Sequence, residues 1–188
     1  MVLPDPGGAE APNDGLVLRA GTLSDVGAIV KLVESAYRGE ASRAGWTTEA
    51  DLLDGRRTDV DAVTAQLEDP STTIVCALRG PDLVGCCAVS SDGTSWHFGM
   101  FAVTPTLQGA GIGKVLLAEA ERRVLAGGGR ALELSVLSQR HELIAFYQRR
   151  GFSLTGSTAP FPSGDERFGV PRRGDLEFLI MAKALSRP

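Results

Sequence analysis

Apolar and polar positions change period several times along the chain, and each change marks an element. Behind Thr22, an N-cap with Asp25 in the capping-box position, Val26, Ile29, Val30 and Val33 recur at helical spacing. They predict a helix over Leu23–Arg38, preceded by a short strand at Leu16, Val17 and Leu18. From Gly39 to Gly55 the pattern is broken by Gly39, Gly45, Trp46 and the Thr47-Thr48 pair, with a helical turn expected at Glu49–Leu53. Asp59 opens another short helix through Val63, Gln66 and Leu67, which Pro70 stops. Thr72–Leu78 and Leu83–Ser90 read as strands around the turn Arg79-Gly80-Pro81-Asp82, and Asp92-Gly93 leads into a third, Ser95–Val103.

The period then returns to helical over 110–126, with Val115, Leu116, Ala118, Leu125 and Ala126 inside and Glu119, Glu121, Arg122 and Arg123 outside. After Gly127-Gly128-Gly129, Ala131–Val136 is a strand that one helical crossover makes parallel to 95–103. Glu142–Arg150 is a helix with Leu143, Phe146 and Tyr147 on its apolar face, capped by Gly151. Phe152–Thr155 and Asp175–Ala182 complete the set as paired strands across a polar loop, Gly156–Gly174. The order β-α-α-β-β-β-α-β-α-β-β predicts an α/β (α+β) architecture, a mixed and mostly antiparallel sheet with helices on both faces. Gly99 inside the central strand is expected to be a bulge or a point of close approach.

Composition narrows this picture. The chain has 188 residues, long enough for one domain with a substantial core, and its net charge of −4 argues against nucleic acid as a partner. Residues 1–14 are rich in Pro, Gly and Ala and read as a disordered leader before a single domain over 15–186. They lack the cationic start and apolar run of a secretory signal, and no apolar run is long enough to cross a membrane. Cys76, Cys86 and Cys87 fall in predicted strands without metal-binding spacing, as buried reduced thiols of a cytoplasmic protein would. No metal is expected.

The candidate chemistry centres on Gln108-Gly109-Ala110-Gly111-Ile112-Gly113-Lys114, a glycine-rich turn that follows a strand and opens a helix. A helix start carries unpaired N–H donors and partial positive charge, so it suits a phosphate or pyrophosphate. A Walker A loop would need Gly at Gln108 and a hydroxyl at Val115, and a dinucleotide fingerprint would need Gly at Lys114; both fail.

What remains, Gln-x-x-Gly-x-Gly behind Ala102-Val103, resembles the GNAT superfamily of acyl-CoA-dependent acyltransferases. Phe146-Tyr147-Gln148-Arg149-Arg150-Gly151-Phe152 adds to the likeness, being similar to the family's F/L-Y-x-x-x-G-F segment. The resemblance spans roughly Leu16 to Leu185 and is strongest from Met100 to Phe152. It implies a GNAT-like fold in which two parallel strands splay to open a slot. It also implies acetyl-CoA as co-substrate, with its pyrophosphate on Gln108–Lys114 and its pantetheine along Phe101, Ala102 and Val103. Many family members carry Asn seven residues before the Tyr; here Arg140 stands there, as a polar or cationic contact to the cofactor arm.

Acyl transfer to an amine needs a base for the amine, donors for the oxyanion and a proton for the departing thiolate. Tyr147 matches the family's Tyr that protonates the leaving sulfur. His97 occupies the strand position where several subfamilies carry a general base, and an imidazole changes charge near neutral pH. Strict alternation puts His97, Gly99, Phe101 and Val103 on one face and Phe98, Met100 and Ala102 on the other. Glu133 and Ser135 are alternative polar groups on the parallel strand, and His141 reads as a surface residue. The family places part of the acceptor pocket between the first two main strands, which nominates Tyr37, Arg38, Glu40, Arg43, Trp46 and Glu49. On that basis the acceptor is a primary amine of a small molecule or peptide, with Glu40 or Glu49 meeting an ammonium and an arginine such as Arg43 meeting a carboxylate. The expected assembly is a monomer or homodimer. The competing readings are a non-catalytic acyl-CoA-binding module and an interaction protein that uses only the fold.

Overall fold

The computed structural model describes residues 15–165 and 168–186, so the proposed leader lies outside it. The strands are β1 (Leu16–Ala20), β2 (Leu53–Asp54), β3 (Thr72–Arg79), β4 (Asp82–Ser91), β5 (Trp96–Val103), β6 (Ala131–Leu137), β7 (Ser153–Pro160), β8 (Val170–Pro171) and β9 (Glu177–Ala184). The helices are α1 (Val26–Tyr37), α2 (Gly39–Ser42), α3 (Val60–Glu68), α4 (Ile112–Ala126) and α5 (His141–Gln148), with single 3-10 turns at Leu23–Asp25 and Pro105–Leu107. Seven strands form one sheet in the order β1-β3-β4-β5-β6-β9-β7, and every neighbouring pair is antiparallel except β5 with β6.

Strand alternation sends side chains to two cores. Val75, Ala77, Val84 and Val89 pack with Ile112, Leu116, Leu117 and Val124 of α4 and with Leu143, Phe146 and Tyr147 of α5. Ile74, Cys76, Cys86 and Ala88 pack with Ile29, Leu32, Val33 and Ala36 of α1 and with Val63 of α3. Each buried Ile, Leu or Val contributes about 1.5–3 kcal/mol, so each helix is held mainly by its apolar stripe. The capping box at Thr22–Asp25 forms, and Arg19 doubly bonds the same Asp25 carboxylate. All three cysteines are buried free thiols, and burial pushes the Cys86 and Cys87 thiols upward.

The parallel pair is in register only at His97 and Glu133, after which β5 and β6 part. The bulge that bends β5 lies beyond Gly99. Two residues, Met100 and Phe101, stand opposite Cys87 alone, and Met100 takes φ of +44°. A Cβ on Gly99 would meet open space, so close approach is not why glycine stands there. The extra residue also overturns strict alternation. Phe98, Phe101 and Val103 share the α4–α5 core, whereas Met100 and Ala102 turn toward α1.

Two further features concern the segment between α2 and α3. The helical turn expected at Glu49–Leu53 is present as a single turn, with the amides of Leu52 and Leu53 donating to the Glu49 carbonyl, and it runs into β2. β2 pairs antiparallel with β8, tying the long C-terminal loop to the segment after α2. Among the described residues, no helix is long and apolar enough to cross a membrane.

Candidate active site

The glycine turn folds as a helix start with its donors unspent. Gly109 and Gly111 adopt φ of +91° and +88°, and Gly111 is the N-cap of α4. That left-handed geometry is nearly free for glycine and strained for a side chain. The amides of Gly109, Gly111, Ile112 and Gly113 donate to no described backbone carbonyl. A Cβ on Gly113 would stand 3.0 Å from Cζ of Phe101, so the third glycine lets α4 approach the central strand.

These residues line a cleft of about 250 Å3 under α4 and α5. Gln108, Gly109, Gly111, Gly113 and Lys114 contribute from the turn, and Phe101 and Val103 from β5. Ala110 and Ile112 do not line it; the Ile112 side chain is buried in the core below. Ala102 faces α1 instead. α5 adds Phe146, Arg149 and Arg150, the last stacked 3.5 Å from the Phe146 ring centre and donating to its carbonyl. The wall therefore carries three cations, Lys114, Arg149 and Arg150, beside free amides. That donor set fits a polyphosphate.

Gln108 lines the cleft and is also a brace. Its Nε2 donates to Thr47 Oγ1 at 2.7 Å and to the Val103 carbonyl at 3.1 Å, while its Oε1 accepts from the Trp46 amide at 2.9 Å. The side chain braces the 45–47 segment against the turn. A Cβ on Gly45 would lie 2.5 Å from Gln108 Oε1, so this contact requires glycine. Trp46 packs on Phe146 at 5.7 Å and lines the same cleft.

Behind the splay lies a second, smaller cavity of about 70 Å3, bounded by Tyr37, Glu49, Arg57, Gly99–Phe101, Ser135–Leu137, Arg140 and Tyr147 among others. The two spaces share Tyr37, Phe101 and Leu143. The Tyr37 hydroxyl donates to the Phe101 carbonyl exposed by the bulge, and burial pushes the Tyr37 phenol up to about 12. Glu49 is buried among arginines: Oε2 accepts from Arg38 Nη1 at 2.6 Å and Oε1 from Arg140 Nη1 at 2.9 Å. Arg140 also donates to the Thr47 carbonyl and sits 6.0 Å from the Tyr37 ring centre. It lines this cavity and not the first. Arg43 faces outward, paired with Asp51 and Glu40, and lines neither space.

Tyr147 lies on the buried face of α5, edge-on to Phe98, Phe146 and Phe152. Its hydroxyl makes no hydrogen bond to a described residue, and burial holds the phenol protonated well above its ordinary range. His97 is one lobe away, in a cavity with Glu133, Ser135, Thr155 and Ser157 that shares Phe98, Leu134 and Ser135 with the Tyr147 cavity. Its Nε2 is 3.1 Å from Asp92 Oδ2. Asp92 also accepts from Thr94 and Ser95, which hold its carboxyl well below the usual range. Residues to which sequence reasoning gave no role are Thr47, Arg149 and Arg150. The last two were visible as a cationic pair one turn beyond Tyr147.

Comparison with known proteins follows this geometry. The acetyltransferase (GNAT) family model matches residues 32–152. The ribosomal-protein-S18-alanine N-acetyltransferase of Escherichia coli shares the fold at 14% identity, with 92% of this chain and 96% of that chain covered and a TM-score of 0.68. The PaiA N-acetyltransferase of Thermoplasma acidophilum, solved with coenzyme A, aligns at 16% identity over 90% of this chain and 99% of that one, TM-score 0.64. An N-acetyltransferase of Staphylococcus aureus Mu50 aligns at 12% identity over 90% and 97%, TM-score 0.68. Comparison with curated proteins returned no match. With its glycine-capped helix start, its splayed parallel strands and a family match over most of the chain, the protein belongs to the GNAT acetyltransferase family.

Proposed function

We propose that the protein transfers an acetyl group from acetyl-CoA to a primary amine of a small molecule or peptide, by direct attack within a ternary complex. The observation that carries this reading is the meeting of the two spaces at Tyr37, Phe101 and Leu143, phosphate-binding donors on one side and a polar cavity on the other. Acetyl-CoA supplies an activated thioester. The free amides of Gly109–Gly113 with Lys114, Arg149 and Arg150 would hold its phosphates, and β5 beyond the bulge would lie along its arm.

The chain's own residues then manage protons. The amine must arrive neutral, and His97, oriented by Asp92, is positioned to accept its proton through the shared lobe. As nitrogen bonds to the acyl carbon and the carbon–sulfur bond breaks, Tyr147 donates its phenolic proton to the sulfur, and the proton that the new amide nitrogen sheds restores the phenol. A phenol that burial keeps neutral is an available acid at physiological pH. No acyl-enzyme is required, because holding amine and thioester together supplies much of the rate. Incubation with acetyl-CoA and a panel of amines should release thiol in step with acetylated amine. Binding of acetyl-CoA without any acetylated product across the panel would favour a binding module instead.

A further inference from the structure

Glu49 does not have the charge its surroundings call for. Its two oxygens are committed to Arg38 and Arg140, and a third guanidinium, that of Arg57, approaches Oε2 only to 3.8 Å through Nε, beyond a hydrogen bond. Three arginines thus share one carboxylate. Arg38 is buried with Nε and Nη2 unpartnered, so the cluster also has more donors than acceptors. Glu34 accepts the backbone amides of Arg57 and Thr58 at its Oε1, at 2.6 and 2.8 Å, whereas the ion pairs of the three guanidinium groups go to Glu49. Excess positive charge in a partly desolvated site is costly until an anion meets it.

The position of Arg57 says which anion. Its guanidinium carbon stands 5.4 Å from the centre of the Tyr37 ring, with Arg140 also on that ring, which fixes its planar fork. It lines the small cavity, its side chain is about one-third exposed, and its terminal nitrogens bond no described residue. The same Tyr37 marks the junction with the cofactor cleft. A ligand bound at Arg57 is therefore about one aromatic ring from the place of acetyl transfer. We infer that the acceptor is a compact amine bearing a carboxylate, of amino-acid type, and that Arg57 receives the carboxylate while the amine points to the junction. This rests on the acetyl-transfer reading, and it moves the anion contact from Arg43 to Arg57.

The test pairs the twenty common L-amino acids with their decarboxylated amines. In the wild-type protein at least one amino acid should exceed its amine in kcat/KM by about tenfold or more, through KM. Arg57→Ala should bring that ratio toward one, and Arg57→Lys should restore part of it. Calorimetry with the N-acetylated products reads the same site without turnover. An N-acetyl amino acid should bind at least about tenfold more tightly than the N-acetyl amine, and Arg57→Ala should remove the difference. Equal binding of every product pair, or a preference that survives Arg57→Ala in a folded variant, overturns the proposal. Turnover of amines alone would leave acetyl transfer standing with the carboxylate site rejected. Carboxylate-dependent product binding without acetylation of any amine would support the site and remove the transferase reading.

Discussion

The cleft under α4 and the cavity under α1 are built in opposite ways. The first recognises with backbone: glycines in a left-handed turn expose amides, and the surrounding cations, Lys114 and Arg149, are left free for a ligand. The second recognises with side chains already engaged with each other, Glu49 to Arg38 and to Arg140 ninety-one residues away. A backbone site tolerates any ligand with a phosphate in the right place, which suits the co-substrate role proposed for it. A salt-bridged side-chain site is specific and couples its geometry to the stability of the fold.

That contrast can be broken most severely at Glu49. Glu49→Ala leaves buried arginines without a counter-charge and should cost about 3–5 kcal/mol in denaturant unfolding. If stability instead barely moves, the acceptor side is not the structural element described here. Next in size is Tyr147→Phe, for which turnover should fall by about 10²-fold, with acetyl-CoA affinity nearly unchanged. A loss of thermal stability with normal turnover would make the phenol a packing residue. On the backbone side, Gly111→Glu places a carboxylate and a strained residue in the turn. Acetyl-CoA binding by calorimetry should weaken by at least about tenfold, or about 1.4 kcal/mol, and unchanged affinity in a folded variant would remove the cradle.

The smallest effect sharpens the boundary between the two sides. The Tyr37 phenol is raised to about 12 by burial, while an unfolded tyrosine titrates near ~10. The unfolded chain therefore loses this proton first, so stability is full below pH ~10 and declines as pH rises toward 12. Tyr37→Phe should cost about 1 kcal/mol at neutral pH by losing the bond to the Phe101 carbonyl, and should flatten that alkaline decline. A decline as steep as in the wild type would assign it to other groups.

The two sides also differed in how well the sequence revealed them. The glycine-rich helix start was legible because it resides in local spacing: glycines at 109, 111 and 113 can be read without knowing the fold, and helical periodicity gives the buried face of Tyr147 while its proposed role comes from the family resemblance. Even there, the bracing bonds of Gln108 could not be read from the sequence, because its partners Thr47 and Trp46 are sixty residues away. The bulge at Met100 carries no residue signal, since glycine occupies the neighbouring, unstrained position. Arg43 and Glu49 looked alike as charges in a polar loop. Only the pairing of β2 with β8 and the approach of Arg140 decide that one is outside and the other buried.

Gln108 joins the glycine turn, the end of β5 and the loop that follows α2 in a single knot. The loop after α2 and the glycine turn are thus one mechanical part and cannot be exchanged as separate modules. A chimera that replaces residues 39–55 to redirect acceptor choice must bring a residue without a side chain at position 45 and a hydroxyl at position 47. A graft lacking them would push Gln108 away and displace the cradle it was meant to leave alone.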